Sequence, residues 1–256
     1  MQRYENSISY NYEGVFPLTQ TQHVIKVLRK LGGFATFGKL NSSIDSTSWK
    51  TKTPEATVRR IVQDSDAFFR IQPGLWALVE CRAKVLRLLN LDIDASVDEL
   101  PDKFTHSYYQ GLIIEIGNMR KFDTFLPSQD KNKKFLGTTL KELASLQDIH
   151  KFTYEEILKY AQTVDAIWFN ERNMPKAFFE VENTTDMKNS LSKFFELQDF
   201  HSKFFIVAPK YRHSKFIEDI NRSIFKEIRE RVQFIAYEKI SEMHTQEHRS
   251  MGIRFF

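Results

Sequence analysis

Thr163-Val164-Asp165-Ala166-Ile167-Trp168-Phe169 and, after the polar break Asn170-Glu171-Arg172-Asn173-Met174-Pro175, the stretch Phe178-Phe179-Glu180-Val181-Glu182-Asn183-Thr184-Thr185-Asp186 decide how this chain folds. Two short apolar runs divided by turn formers read as strands, Val164 to Phe169 and Lys176 to Glu182. Side chains alternate along a strand, so Phe178, Glu180 and Glu182 share one face while Ala177, Phe179 and Val181 share the other. On the first strand Asp165, Ile167 and Phe169 share a face. If the strands pair with Asp165 beside Glu180, three carboxylates converge near one end of a sheet. Such a cluster repels itself, and burying an unpaired anion is costly. A hard divalent cation relieves the repulsion, as Mg²⁺ does in oxygen-lined phosphoryl-transfer sites, where it polarises a phosphate and activates a water. The same letters also fit a solvent-facing Glu-x-Glu and a turn aspartate, and spacing alone leaves these readings open.

The neighbouring sequence fits an alternating fold. A helix from Asp186 to Phe200 leads to a buried strand, Phe204 to Ala208, then a helix from Ser214 to Arg229 and a strand from Val232 to Tyr237. Upstream, a helix from His106 to Gly117 precedes a strand, Phe122 to Leu126, the polar loop Ser128 to Lys134, and a helix from Thr153 to Gln162. Helices alternating with strands predict an α/β domain, a mixed sheet flanked by helices, over residues 105–240. Residues 241–256 read as a polar tail; His244 and His248 there share a helical face, with no third ligand evident.

Residues 17–80 carry a different pattern. A helix capped by Thr19 or Thr21 runs to Leu31 and stops at Gly32-Gly33. A short helix, Phe37 to Ser42, and a third opening at Thr53-Pro54-Glu55 follow. Two strands, Phe68 to Ile71 and Leu75 to Val79, flank the turn Gln72-Pro73-Gly74. Three helices and a hairpin are the order of a small winged helix-turn-helix domain. Between Lys26 and Arg60 eight basic residues face only Asp45 and Glu55, although the net charge of the chain is just +4. A locally basic segment is where a polyanion docks, or simply a solvated surface. On the third helix Arg59, Arg60 and Gln63 offer the paired donors and acceptors that base edges need, and Lys50 and Lys52 would hold phosphates. Trp76 reads as core. Residues 1–16 read as an irregular arm, and 81–104 as a connector with a short helix, Ala83 to Leu89, and an acidic stretch, Asp92 to Asp102.

Composition excludes several classes. The single cysteine, Cys81, rules out an internal disulfide framework or a Cys-cluster zinc site. No apolar run approaches the roughly 20 residues of a membrane span, and the first residues lack a secretory signal, so the expectation is a cytoplasmic protein without membrane contact. No Gly-rich phosphate loop, Ser-His-Asp set or cysteine nucleophile stands out.

Two resemblances sharpen this picture. Thr51 to Arg60 and Phe69-Arg70-Ile71-Gln72-Pro73-Gly74-Leu75-Trp76-Ala77-Leu78 resemble the HARE-type winged helix, a module similar to those fused to restriction enzymes and chromatin proteins. The strand pair quoted first, with Leu191-Ser192-Lys193-Phe194, Phe205-Ile206-Val207-Ala208 and Asp219-Ile220-Asn221-Arg222, is similar to the PD-(D/E)XK nuclease superfamily over most of residues 104–240. That resemblance implies that Asp165 and Glu180 are metal ligands and that Glu115, on the leading apolar helix, is an added acid of the site; a buried structural pair is the alternative for Glu115. The family's third motif residue is usually Lys, whereas this chain has Glu182. A cation would then come from the next helix, from Lys193 or Lys188, or Glu182 itself would bind metal or act as base. Lys131, Lys133 and Lys134 would touch phosphates or lie in a solvated loop.

The expectation is therefore a Mg²⁺-dependent endodeoxyribonuclease of type II restriction kind, with Mn²⁺ able to substitute. Its substrate is double-stranded DNA. Cutting both strands needs two active sites, hence a homodimer, and restriction implies a cognate DNA methyltransferase. The alternative is a DNA-binding regulator or modification reader whose nuclease-like domain has lost activity, a reading that Glu182 favours; a structural member of a larger defence complex is a third.

Overall fold

The computed structural model describes residues 18–92, 102–184 and 186–253. The expected N-terminal arm and nearly all of the acidic stretch before Asp102 lie outside these. Helix α1 (Gln20–Lys30) is closed by a capping box: Gln22 N–H donates to Thr19 Oγ1, and Gln22 Oε1 accepts from Thr19 N–H. Gly32 and Gly33 then take positive φ, and a strand absent from the sequence reading follows, β1 (Phe34–Thr36). It runs straight into α2 (Phe37–Ser43), whose N-cap is Thr36. Helix α3 (Pro54–Asp64) starts with proline in its first turn, and β2 (Phe68–Gln72) and β3 (Leu75–Leu78) form a hairpin. With β1 they make a three-stranded antiparallel sheet in the order β1-β3-β2. Val24, Leu28, Leu40, Val58 and Val62 form the core beneath it.

The tip of that hairpin is fastened to the rest of the protein. Helices α4 (Arg82–Leu88) and α5 (Asp102–Met119) follow it in sequence, and the last helix, α10 (Tyr237–Ile253), packs beside α5. Tyr108 Oη on α5 and Ser241 Oγ on α10 donate to the carbonyl of Pro73, at 3.2 and 2.6 Å. Gln72 Nε2 donates to Thr105 Oγ1, also on α5. The residues beyond 240 are thus a helix and not the expected tail. Tyr237, Ile240, Ser241, His244 and Thr245 are its buried side, while Lys239, Glu242 and Gln246 face outward.

The central sheet has five strands in the order β10-β9-β8-β7-β4. Strands β4 (Asp123–Phe125), β7 (Ala166–Phe169) and β8 (Pro175–Val181) are antiparallel neighbours. From β8 the chain crosses through α8 (Met187–Glu196) to β9 (Lys203–Ala208) and through α9 (His213–Ile220) to β10 (Val232–Ala236), both added in parallel. This mixed sheet flanked by helices is the expected α/β arrangement. Between β4 and β7 lie a small hairpin, β5 (Lys134–Phe135) and β6 (Thr138–Thr139), and helices α6 (Leu140–Leu143) and α7 (Glu155–Ala161). Helix α9 ends earlier than Arg229, the expected boundary. Arg229 instead folds back and donates to the carbonyls of Ile220 and Asn221, satisfying the end of the helix that it was expected to extend.

Alternation along the strands divides the apolar residues between two layers. Trp168, Phe179, Val181 and Val207 face α5 and α10, in a cluster that continues into Ile71, Leu75 and Ala77. Ile167, Phe178, Phe204 and Ile206 face α8 and α9. Phe178 stacks on Phe204 and Phe179 on Phe205, centroids 5.4 and 4.9 Å apart, so aromatic pairs clamp both sides of the β8–β9 ladder. Such pairs contribute about 0.5–1.5 kcal/mol beyond the area they bury. They make β8 a rigid base for the acids at its end.

Candidate functional site

Register decides where those acids stand. Ala166 pairs with Phe179 and Ile167 with Phe178, so the next antiparallel pair outward is Asp165 with Glu180. Asp165 turns its carboxylate back on the ladder and accepts the N–H of Val181 through Oδ2, at 2.7 Å. The same oxygen lies 3.2 Å from His106 Nε2, on α5. Glu182 continues the edge: its N–H donates to the carbonyl of Val207, and its own carbonyl accepts from Tyr237 Oη. All three acids are buried.

Helix α8 closes the site from the other side. Lys193 Nζ donates to both carboxylate oxygens of Glu180 and to the carbonyl of Thr163, at 2.9–3.0 Å. Ser190 Oγ lies within hydrogen-bond distance of Glu180 Oε2 and Glu182 Oε1. A hydroxyl has one hydrogen to give, so it donates to one carboxylate and accepts from the other only if that one is protonated. Burial first, and the charge of Asp165 second, push the carboxyl of Glu180 well above its ordinary value even with Lys193 beside it. Of the two lysines proposed on this helix, Lys188 instead pairs with Asp186 at its N-terminus.

The acid contributed from outside the two strands is not the expected one. Glu115 lies nine residues beyond His106 on α5, half a turn out of phase, and its Oε2 is 2.7 Å from His244 Nε2 on α10. It therefore faces away from Asp165. Asp130 takes the nearer position. Its Oδ2 accepts from Gln110 Nε2, which also donates to the carbonyl of Asp165, and His106, Asp130 and Asp165 each offer a ligand atom within 4.8 Å of the others. Lys133 pairs with Asp130 at 2.6 Å, while Lys131 donates to the carbonyl of Gln147. Asp130 sits in a one-turn 3₁₀ segment, Ser128–Asp130, which has no periodicity to announce it. His106 and Gln110 had a signal: two polar residues at i and i+4 share one helical face.

The five residues assigned to DNA, Lys50, Lys52, Arg59, Arg60 and Gln63, are all exposed. Lys52, Arg59, Arg60 and Gln63 share the wall of a cleft of about 740 Å³; Lys50 stands outside its lining. The opposite wall is α10, through Thr245, His248 and Arg249. Arg249 pairs with Glu55, and the Arg59 guanidinium lies over the ring of Phe37, 4.4 Å from its centre. Among the described residues no helix is long and apolar enough to cross a membrane.

Comparison with known proteins converges on the part of the chain that holds the acids. The family model of the C-terminal domain of the type II restriction enzyme NmeDI matches residues 90–254. The type II restriction enzyme NmeDI of Neisseria meningitidis serogroup C is 22% identical over 169 residues, which cover 61% of this chain and 47% of that enzyme. The chain thus spans about half the length of this curated relative. No solved structure matches the chain significantly. With more than half of its residues matched, including Asp165, Glu180, Glu182 and Lys193, this chain belongs to the family of the type II restriction enzyme NmeDI C-terminal domain.

Proposed function

We propose that this protein is a metal-dependent endodeoxyribonuclease of the type II restriction kind, with a PD-(D/E)XK-like site formed by Asp165, Glu180 and Glu182 and completed by Lys193. The observation that carries the reading is the register that sets Asp165 against Glu180, with the Lys193 ammonium on the Glu180 carboxylate. The family's usual motif takes its cation from the strand, where this chain has Glu182. Here the cation comes from α8.

The residues fit a hard divalent ion. Their donors are carboxylate oxygens, and Glu180 is pushed toward its neutral form, so further positive charge at this point is stabilising. Mg²⁺ would be held by Asp165 and Glu180, with Asp130 the nearest further acid; when bound, it polarises the scissile phosphate and lowers the pKa of a water. Mn²⁺ takes the same oxygen ligands. Lys193 stabilises the negative charge that gathers on the phosphate oxygens. As water oxygen bonds to phosphorus and the bond to the leaving oxygen breaks, Glu182 takes the proton that the water sheds and the leaving oxygen takes one from solvent water.

The substrate in this reading is double-stranded DNA, engaged by α3 of a winged helix-turn-helix unit. With its hairpin tip fastened between α5 and α10, the wing contributes little, and contact falls to Lys52, Arg59, Arg60 and Gln63 along the cleft. Lys50 reaches phosphates outside it. Double-strand cleavage calls for a homodimer, and restriction calls for a methyltransferase that protects the host sequence.

The test is to incubate the purified protein with unmodified plasmid and genomic DNA in Mg²⁺ and in EDTA. Discrete fragments that need the metal support the enzyme. Binding without cleavage at every methylation state supports instead the DNA-binding regulator that Glu182, in place of lysine, favours.

A further inference from the structure

The pairing of Glu115 with α10 leaves a second cluster apart from the acids on β8. His244 and His248 stand one turn apart on α10, ring centroids 4.6 Å apart. Glu115 approaches from α5, and a ligand atom of each of the three lies within 4.8 Å of the other two. We propose that Glu115, His244 and His248 bind a single Zn²⁺ ion that ties α10 to α5.

The donor set separates this site from the other one. Two imidazoles and a carboxylate suit zinc, which takes His and acid ligands in tetrahedral sites, whereas Mg²⁺ favours oxygens alone. His244 is fully buried and held at 2.7 Å from Glu115, so two ligands are already oriented. The Glu115 side chain is 31% exposed, which leaves room for a water as fourth ligand. Glu247, between the histidines in sequence, pairs with Arg120 at 2.7 Å. The cluster is thus built to hold an ion, and Glu247 is engaged elsewhere.

Its position gives the ion a mechanical task. A Cβ added at Gly38 of α2 would come within 2.8 Å of His248 Cδ2, so the ring is wedged between α10 and α2. Fixing His248 would fix how the N-terminal helices seat on the body, and with it the wall opposite Arg59 and Arg60.

The proposal is tested on the full chain after removal of bound metal with a chelator, in an Asp165→Asn/Glu180→Gln background that silences the acid site. Zn²⁺ should bind at one ion per chain by elemental analysis and raise the melting temperature, and Co²⁺ should give the visible absorption of a tetrahedral site. His248→Gln and Glu115→Gln should each lower Zn²⁺ affinity by roughly tenfold or more, since even outer partners of metal ligands cost that much. His248→Gln is the safer of the two, because Glu115 is hydrogen-bonded to the buried His244. Absence of stoichiometric Zn²⁺, or binding left unchanged by both substitutions, would overturn the site; so would an equal response to Mg²⁺.

Discussion

Lys193 Nζ lies 2.9 Å from Oε1 and 3.0 Å from Oε2 of Glu180, a bidentate contact between α8 and β8 in which the lysine side chain is 19% exposed and the glutamate side chain 4%. One cation centred on one carboxylate cannot also neutralise Asp165 and Glu182. A metal ion is what such a cluster of acids would take up, and Lys193 approaches it from α8 through Glu180.

Replacing it should therefore damage chemistry more than binding. Lys193→Met removes the charge and keeps much of the side chain's length. Cleavage of supercoiled plasmid should slow by about a hundredfold, the cost of losing one group that stabilises transition-state charge. DNA affinity, which the proposed reading assigns to residues on α3, should hold. Wild-type cleavage by this variant would remove Lys193 from the site.

The protonation of Glu180 gives a pH signature. Its carboxyl rises from 4.5 in the unfolded chain to about 8 in the folded one, through burial and the charge of Asp165. The folded state therefore keeps a proton that the unfolded state loses. Stability from this group is fully present below pH 4.5 and is lost as pH rises toward 8. Denaturation in EDTA should show wild type weakening across that window relative to Glu180→Gln, whose amide does not titrate. Mg²⁺ should recover more stability at pH 8 than at pH 6. Parallel curves for the two proteins would contradict the assignment.

Asp165 has a structural contact and a proposed chemical role, and one substitution separates them. Asp165→Asn retains an oxygen to accept the Val181 N–H but loses the negative charge. Thermal stability should change little, while cleavage should fall by roughly 10³. If unfolding accompanies the loss of cleavage, the carboxylate is needed for the fold and the chemical role stays untested by this variant; Asp165→Glu, which restores the charge, then decides by recovering cleavage or failing to.

The fastened hairpin is open to a stability measurement. Gly74 has φ +78°, and an added Cβ would stand 2.8 Å from Ser241 Cβ. Gly74→Ala meets both a disfavoured backbone and α10, and should destabilise the protein by about 1–3 kcal/mol in urea denaturation. A hairpin tip free in solvent would show only the backbone part.

What the sequence revealed and what it hid divide along physical lines. The pairing of β7 with β8 was legible because two apolar runs flank a short polar break, and alternation showed which residues share a face, but the register that sets Asp165 beside Glu180 came only with the structure. Helix α10 was not, because its buried side includes Ser241, His244 and Thr245, and the first two are polar groups satisfied by the distant Pro73 and Glu115. Glu115 was noticed for its apolar company, but its histidine partner lies 129 residues away, and local spacing cannot say which distant group it meets. Strand β1 has three residues, too few for any period to show. Asp130 lacked periodicity altogether, being placed by a 3₁₀ turn.

In the proposed reading, the cleft beside α3 separates two kinds of DNA contact. Gln63 and Arg60 are exposed on α3 and carry the donors that read base edges, whereas Lys52 precedes the helix and supplies charge. Gln63→Ala should cost roughly 1–3 kcal/mol of discrimination between the preferred sequence and a single-base variant. Lys52→Ala should weaken binding to all sequences alike and reduce the salt slope of log K by about 0.9, the release of one counterion. Competition binding at several salt concentrations measures both. If Gln63→Ala lowers affinity uniformly, or neither change has any effect, α3 does not lie against DNA as drawn, and the contact surface must be sought on the body that carries the acids.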